Sequence, residues 1–506
     1  MNIESLRILI LLSSLLLISC GGASTSVADS NPNGVSPSTT PEPNNSAESQ
    51  DSTEEPTADS EAAELQLLQE QFRLAIIASS EGRGLEAYIL PDSDDYNRIP
   101  QDPSNPITAE KVLLGQMLFH DTAFSIAGRA GNEYSGTWSC ATCHNSQAGF
   151  KPGVPQGIGE GGQGYGANGA LRTLLSQFDP LASSEAADFP DIQPIAVPSV
   201  LNSGYQNVKL WDGELGNPIG GSVNSTVGDE QLLTADTLRA ENSRFLAGLE
   251  TQAVAGIPFH RMVMEQSTLE STPGYAEFWP SAFGANSLDY RQDAALAIAA
   301  FERTLLANEA PFQRWLRGER DQLNTEEIHG GILFFGKAGC TNCHQGPALS
   351  SDVFATEAEL FFNIGFADFN LNDPRIHGTN DAKSLGRGGF TQDSAYHYHF
   401  KIPQLYNLND APFYGHGSSF RSIRDVLVYK NVAIPQNFAA AGNLSEDFVP
   451  LGLTEEEIDA LTSFLTNALR DPNLARYEPR DVPSGSCVTV DPLTVESDWR
   501  CEHLSN

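Results

Sequence analysis

Apolar residues recur at helical spacing in separate stretches of this chain, and no two-residue alternation of a strand sustains itself anywhere. From Glu61 to Ser80 the series Leu65, Leu67, Leu68, Phe72, Leu74, Ile76 and Ile77 predicts an amphipathic leading helix. Thr108 is placed to cap a second helix through Val112, Leu113, Met117 and Leu118. An alanine-rich helix is expected over Asp289 to Leu306. Another is expected over Thr325 to Phe335, capped by Thr325 with Glu326 and Glu327 in its first turn. Ser422 to Tyr429 and Thr454 to Leu469 read as later helices. Gly149 to Gly169 is rich enough in glycine to be loop.

Before the periodic region the pattern changes twice. An apolar run ends at Cys20, with Arg7 near its start, and is too short to span a bilayer with confidence; it reads as an export signal. Leu17-Ile18-Ser19-Cys20 followed by Gly21-Gly22 resembles a bacterial lipoprotein cleavage box. Cys20 would then carry the lipid that holds the protein at a membrane surface. From Ala23 to about Ser60 polar residues, Pro and acidic residues dominate, which predicts a disordered tether.

Composition narrows the partners. The chain has 506 residues and a formal net charge of -36, which argues against nucleic acid and favours basic partners such as a cationic electron-donor protein. Simple solubility, as in a salty habitat, explains the charge equally well. The length suggests two domains with accessory segments.

Of seven cysteines, four fall in two copies of one pattern, Cys140-Ala-Thr-Cys143-His144 and Cys340-Thr-Asn-Cys343-His344. In C-x-x-C-H the two thiols reach the two vinyl groups of one porphyrin and the following histidine ligates its iron. A lone C-x-x-C would equally fit half a zinc site or a disulfide. The histidine directly after the second cysteine in both copies points to two covalent haem c groups. Export agrees, because haem c is attached outside the bacterial cytoplasm. Cys487 and Cys501 remain, either as a disulfide in the tail or as free thiols.

Ordered stretches from about Ile107 to Arg470 resemble the bacterial diheme cytochrome c peroxidases and their relative MauG. They are Leu114 to Asp121 with Ser125, Ser139 to His144, Ala297 to Leu306, Leu333 to Cys340, and Phe400 to Asn407. The resemblance implies an all-α protein with two cytochrome c-like domains, each holding one haem c. The expected divisions are a signal peptide over 1–20, a linker over 21–62, a peroxidatic domain over 63–305, an electron-transfer domain over 306–472, and a tail over 473–506.

The same resemblance implies the chemistry. Hydrogen peroxide would be reduced at the first haem, ligated by His144, with electrons passed through the second, ligated by His344. Where the family's peroxidases carry a distal histidine in an Ile-Gly-His-Gly loop, this chain has Ile158-Gly159-Glu160-Gly161, which leaves the first iron open. Glu250, in Leu249-Glu250-Thr251-Gln252 after Trp211-Asp212-Gly213, is the expected acid/base group. Lys209 falls where the family has a glutamine. The chain has no methionine after Met264 to fill the second haem's far side. Ungapped placement of Ala411 to Gly417 on the family's motif puts Tyr429 there, with Lys430 or His416 as alternatives. No tryptophan lies between Asp191 and Lys209, where the family often keeps one between its haems.

A small cytochrome c or cupredoxin would be the donor, a calcium ion near Pro412 would bridge the domains, and a homodimer is an open possibility. The expected location is the periplasmic side of a bacterial membrane, lipid-anchored, at the outer membrane. The alternatives are MauG-like oxidation of a protein or organic substrate with peroxide, and a diheme electron carrier with no peroxide reaction. The carrier would have two six-coordinate haems.

Overall fold

The computed structural model describes residues 58–127, 135–163, 172–175, 190–206, 208–216, 246, 248–284, 289–351 and 357–486. Cys20, Cys487, Cys501, the leader and the linker up to residue 57 lie outside them, while residues 58–62, expected as the end of the linker, begin the leading helix. The chain divides between Pro56 and Thr57, and every described residue belongs to the second unit. No described helix is long and apolar enough to cross a membrane.

The described chain is mostly helical, as its periodicity predicts. The leading helix is Ala58–Ser79, and the second is Ala109–His120, where Thr108 accepts from the Lys111 amide at 3.3 Å. Tyr290–Thr304, Ile423–Val432 and Glu455–Ser463 begin at Asp289, Ser422 and Thr454, each with its side chain on the third amide of the helix. The helix expected from Thr325 is Thr325–Phe334, and its cap is Asn324 rather than Thr325. Asn324 and Glu327 bond each other's amides at 2.9 Å, so the reciprocal box forms one residue earlier. Among the described residues, strands are limited to three antiparallel ladders of two residues a strand, with isolated bridges besides. The ladders pair Gly162–Gln163 with Thr173–Leu174, Val208–Lys209 with Leu215–Gly216, and Phe361–Phe362 with Phe400–Lys401.

Two helix crossings organise the core, and glycine permits both. A Cβ on Gly115 would stand 1.9 Å from the Ala297 carbonyl oxygen, so Ala109–His120 and Tyr290–Thr304 touch backbone to backbone. Gly330 makes the same approach to Ala460, at 2.0 Å, where Thr325–Phe334 crosses Glu455–Ser463. Each crossing stands just before a C-x-x-C-H motif in the chain. One continuous apolar core runs through both halves. Phe72 of the leading helix packs on Phe312, Trp315, Phe335 and Phe464, with the Trp315 ring centroid at 4.6 Å. That helix, grouped with the first half by sequence position, therefore rests on the second.

The described part of the tail straps the first half. Tyr477 donates to the Leu306 carbonyl at 2.7 Å, and Ser484 donates to Asp121 at 2.8 Å, beside the Tyr275 hydroxyl on the same carboxylate.

Adding a methyl group at either crossing must push two helices apart. Gly115→Ala is expected to lower unfolding stability by about 1–3 kcal/mol, the usual range for overpacking. Gly442→Ala, whose Cβ meets nothing within 4 Å, should stay within about 0.5 kcal/mol. Denaturant midpoints of the haem-loaded proteins check both.

Candidate functional site

Both motifs form a single tight turn followed by a loop that returns a carbonyl to the histidine. Cys140–Cys143 is one helical turn, opened by the Ser139 amide on the Thr142 hydroxyl at 2.9 Å. The chain then reverses through the Asn145 and Lys151 bridge, with Phe150 at φ 57°, and the Phe150 carbonyl meets His144 Nδ1 at 3.2 Å. The second motif repeats the device. Gln345 and Ser350 bridge, Leu349 has φ 47°, and its carbonyl meets His344 Nδ1 at 2.9 Å. With Nδ1 donating to a carbonyl, Nε2 of each ring keeps its lone pair for a metal.

Burial pushes both imidazoles down to about 4, so they are neutral at physiological pH, the form that ligates iron. Two thiols and one neutral, oriented imidazole fit a covalent haem c at each motif.

At the first motif these groups open on a cavity of about 230 Å³. Cys140, Cys143 and His144 share its wall with Val197, Ile298, Met262 and Phe259 and with the polar Asp191, Gln193, Gln252, His260 and Glu302. Burial drives both thiols up, Cys143 to about 12. Gly159 of the glycine loop reaches the wall, where a Cβ would stand 2.2 Å from Asp191 Oδ2. Glu160 turns away from the wall and is fully buried against Arg261 at 2.5 Å.

The expected acid/base group, Glu250, stands behind the wall and not in it. Its helix is Gly248–Phe259, and the face lining the cavity carries Gln252, Ala253, Gly256 and Phe259. Glu250 lies on another face, fully buried, with both oxygens on Arg303 at 2.9 and 2.6 Å and an Asn105 contact at 3.2 Å. A carboxylate held by a guanidinium on that face does not reach the cavity wall. Among the acids that do reach the wall is Glu302, which burial, with Lys209 acting in opposition, holds up to about 8. Lys209 is buried too. It donates to the Ser203 and Gln206 carbonyls at 2.7 and 2.5 Å, and burial lowers it well below the ordinary lysine value.

Trp211 supplies the aromatic contact that the stretch between Asp191 and Lys209 lacks. It lines the cavity, donates Nε1 to Ala196, and stands edge-on to Phe400 and His416 at 6.5 and 6.4 Å. Phe400 and His416 stack at 3.7 Å, and His416 Nε2 is bonded to Asp368 at 3.0 Å.

The second motif has different surroundings. Tyr429 lies half-buried among Phe366, Phe420 and Phe448, and burial raises its phenol to about 12. Its hydroxyl donates to the Ile364 carbonyl. Lys430, one position on, acts electrostatically on Cys340, Cys343 and His344. Beside Pro412, the Phe413 carbonyl accepts from the half-buried Lys151 ammonium at 2.7 Å. Among the described residues no three acidic, histidine or cysteine side chains gather to hold an ion.

A family model described as di-haem cytochrome c peroxidase matches residues 109–321. The methylamine utilization protein MauG of Methylorubrum extorquens is 28% identical over 380 residues, covering 74% of this chain and 82% of that protein. Cytochrome-c peroxidase IdrP1 of Denitromonas iodatirespirans is 28% identical over 402 residues, covering 76% and 87%. A solved MauG-like protein associated with microbial copper homeostasis aligns with TM-score 0.51 and 23% identity, over 76% of this chain and 95% of that one, which shows a shared fold.

Removing Arg303 would leave the Glu250 carboxylate buried and unpaired. Arg303→Leu is expected to cost about 3–5 kcal/mol, and the double change with Glu250→Leu to recover most of it. Thermal and denaturant unfolding of the haem-loaded variants measures both.

Proposed function

We propose that this chain, which belongs to the diheme cytochrome c peroxidase and MauG family, is a diheme peroxidase. It reduces hydrogen peroxide at the Cys140–His144 motif with electrons passed through the Cys340–His344 motif. The observation that carries this reading is the cavity whose wall Cys140, Cys143 and His144 share with polar side chains. Haem bound there supplies a coordination site for peroxide and the electrons that cleave it.

The chain's own residues do the rest. The Phe150 carbonyl orients His144. Gly159 lets the loop approach closely, while Arg261 holds the Glu160 carboxylate off the wall. Apolar side chains limit water in the cavity, which strengthens every polar contact inside it. Trp211, through Phe400 and His416, links the wall to the 400–416 segment, and the Pro403 carbonyl of that segment contacts His344.

The acidic chain suits a basic donor, a small cytochrome c or cupredoxin. Export with lipid attachment at Cys20 would place it on the periplasmic side of a membrane. MauG-like oxidation of a protein or organic molecule is the second reading. It is favoured by Tyr429 at the position expected to ligate the second haem, in a chain with no methionine after Met264.

Ferric and dithionite-reduced spectra, followed by peroxide addition, test the function. A high-spin ferric component, carbon monoxide binding to one haem and rapid reaction with peroxide are expected. Two low-spin haems inert to peroxide would sink the reading in favour of an electron carrier. Tyr429→Phe is expected to change the spectrum of the second haem alone while Lys430→Ala leaves it unchanged. The reverse result assigns the ligand to Lys430.

A further inference from the structure

We propose that His260 is the acid/base group of the first cavity, held in place by Asp191. The inference rests on the peroxidase reading and names the residue that serves it. Gly248–Phe259 ends at the cavity, and His260 is the next residue, its amide still bonded to the Gly256 carbonyl at 2.9 Å. Arg261 then takes φ 58°, which sends the chain back through Met262 and aims the guanidinium at Glu160. The reversal leaves the His260 ring in the cavity wall, and the Trp138 indole fixes its carbonyl at 2.8 Å.

His260 Nδ1 meets Asp191 Oδ2 at 2.9 Å. Asp191 is itself held: its other oxygen accepts from Gln193 at 3.1 Å, and its amide and carbonyl bond Glu160 and Gly159. A carboxylate on Nδ1 orients the ring and places the Nδ1 proton toward Asp191 in the neutral tautomer, so Nε2 is the nitrogen left to act in the cavity. His144 and His260 line the same cavity.

The other ionisable groups around the cavity are less suited. Glu250 is locked to Arg303. Glu302 acts on Cys140, at the thiol side, and keeps its proton up to about 8, so near neutrality it cannot accept one. Asp212 and Glu214 both bind Lys383, at 2.6 and 2.7 Å. The loop above carries the Glu160–Arg261 pair. His260 combines a place in the wall, a free ring nitrogen and a fixed partner.

In the step assigned to it, Nε2 takes the proton from the near oxygen of hydrogen peroxide and delivers it to the far oxygen. The O–O bond breaks as that oxygen leaves as water. The remaining oxygen leaves as the second water after two electrons from a one-electron donor protein and two protons from solvent have been added. Such proton transfer contributes about 10²–10⁴-fold to rate.

The test uses haem-loaded protein with two probes, hydrogen peroxide and cyanide; hydrogen cyanide must also give up a proton to bind as an anion. His260→Ala and the nearer-sized His260→Gln are expected to slow both associations by about 10²-fold or more, with ferric and reduced spectra unchanged. Added imidazole should partly restore His260→Ala. Asp191→Asn, which changes the ring's orientation and tautomer, should slow both probes less and shift their pH profiles. Rates like those of the unaltered protein in both His260 variants overturn the proposal. So does loss of a low-spin component, which would make His260 an iron ligand, or a loss confined to Glu302→Gln. If the unaltered protein ignores peroxide, the peroxidase reading fails. The cyanide rates still decide whether His260 is a base.

Discussion

The hydrogen bond from each motif histidine to a main-chain carbonyl is the constraint that the rest of the site answers to. A neutral imidazole has one donor and one acceptor nitrogen, and a rigid acceptor on Nδ1 settles which faces the metal. The carbonyls belong to Phe150 and Leu349, both in left-handed conformation, which bulky residues rarely adopt. Conformations of that kind cost on the order of 1–3 kcal/mol and persist only where the surroundings fix them. Here a backbone bridge closes each loop, and both side chains are fully buried. The Gly115 and Gly330 crossings in turn fix the helices that lead into each motif.

Local structure was legible in the sequence wherever it depends on one segment. Helix spans, the Thr108 cap, and the thiol and histidine groups at each motif follow from periodicity and short spacing. What the sequence did not carry depended on rotation or on distant partners. Glu250 was singled out from its motif, but the phase of its helix turns Gln252 and Gly256 to the cavity and Glu250 toward Arg303, 53 residues away. His260 carried no local signal, because its partner Asp191 is 69 residues distant. Trp211 was noted only within its tripeptide, and its neighbours Phe400 and His416 come from the other half. The Asn324 cap shows the smallest error, one residue, decided by Glu327 reaching back to the Asn324 amide.

Beneath the cavity the protein buries four ionisable side chains, Lys209, Glu250, Glu302 and Arg303, whose formal charges cancel. Each would be costly alone. Arg303 and Glu250 satisfy each other, and carbonyls of Ser203 and Gln206 receive Lys209. Glu302 has neither arrangement and relieves the cost by keeping its proton. The set places a fixed polar floor under the cavity, where added charge would be poorly screened.

Two motifs of the same sequence pattern thus sit in unlike places. The shared part is the turn, the crossing glycine and the carbonyl on Nδ1, and it gives each histidine the same electronic state. The difference lies beyond the ligand. At Cys140 the wall holds Asp191 with His260, along with Gln193, Gln252 and Glu302, groups that can move or hold protons beside a reacting oxygen. At Cys340 the neighbours are a cation at Lys430 and a cluster of Phe366, Phe420 and Phe448 around a phenol whose proton is hard to remove. Such a setting suits a group that changes oxidation state without bond-breaking. Division of labour between two equal haems therefore needs no difference in how they are attached, only in which side chains the surrounding helices deliver to each.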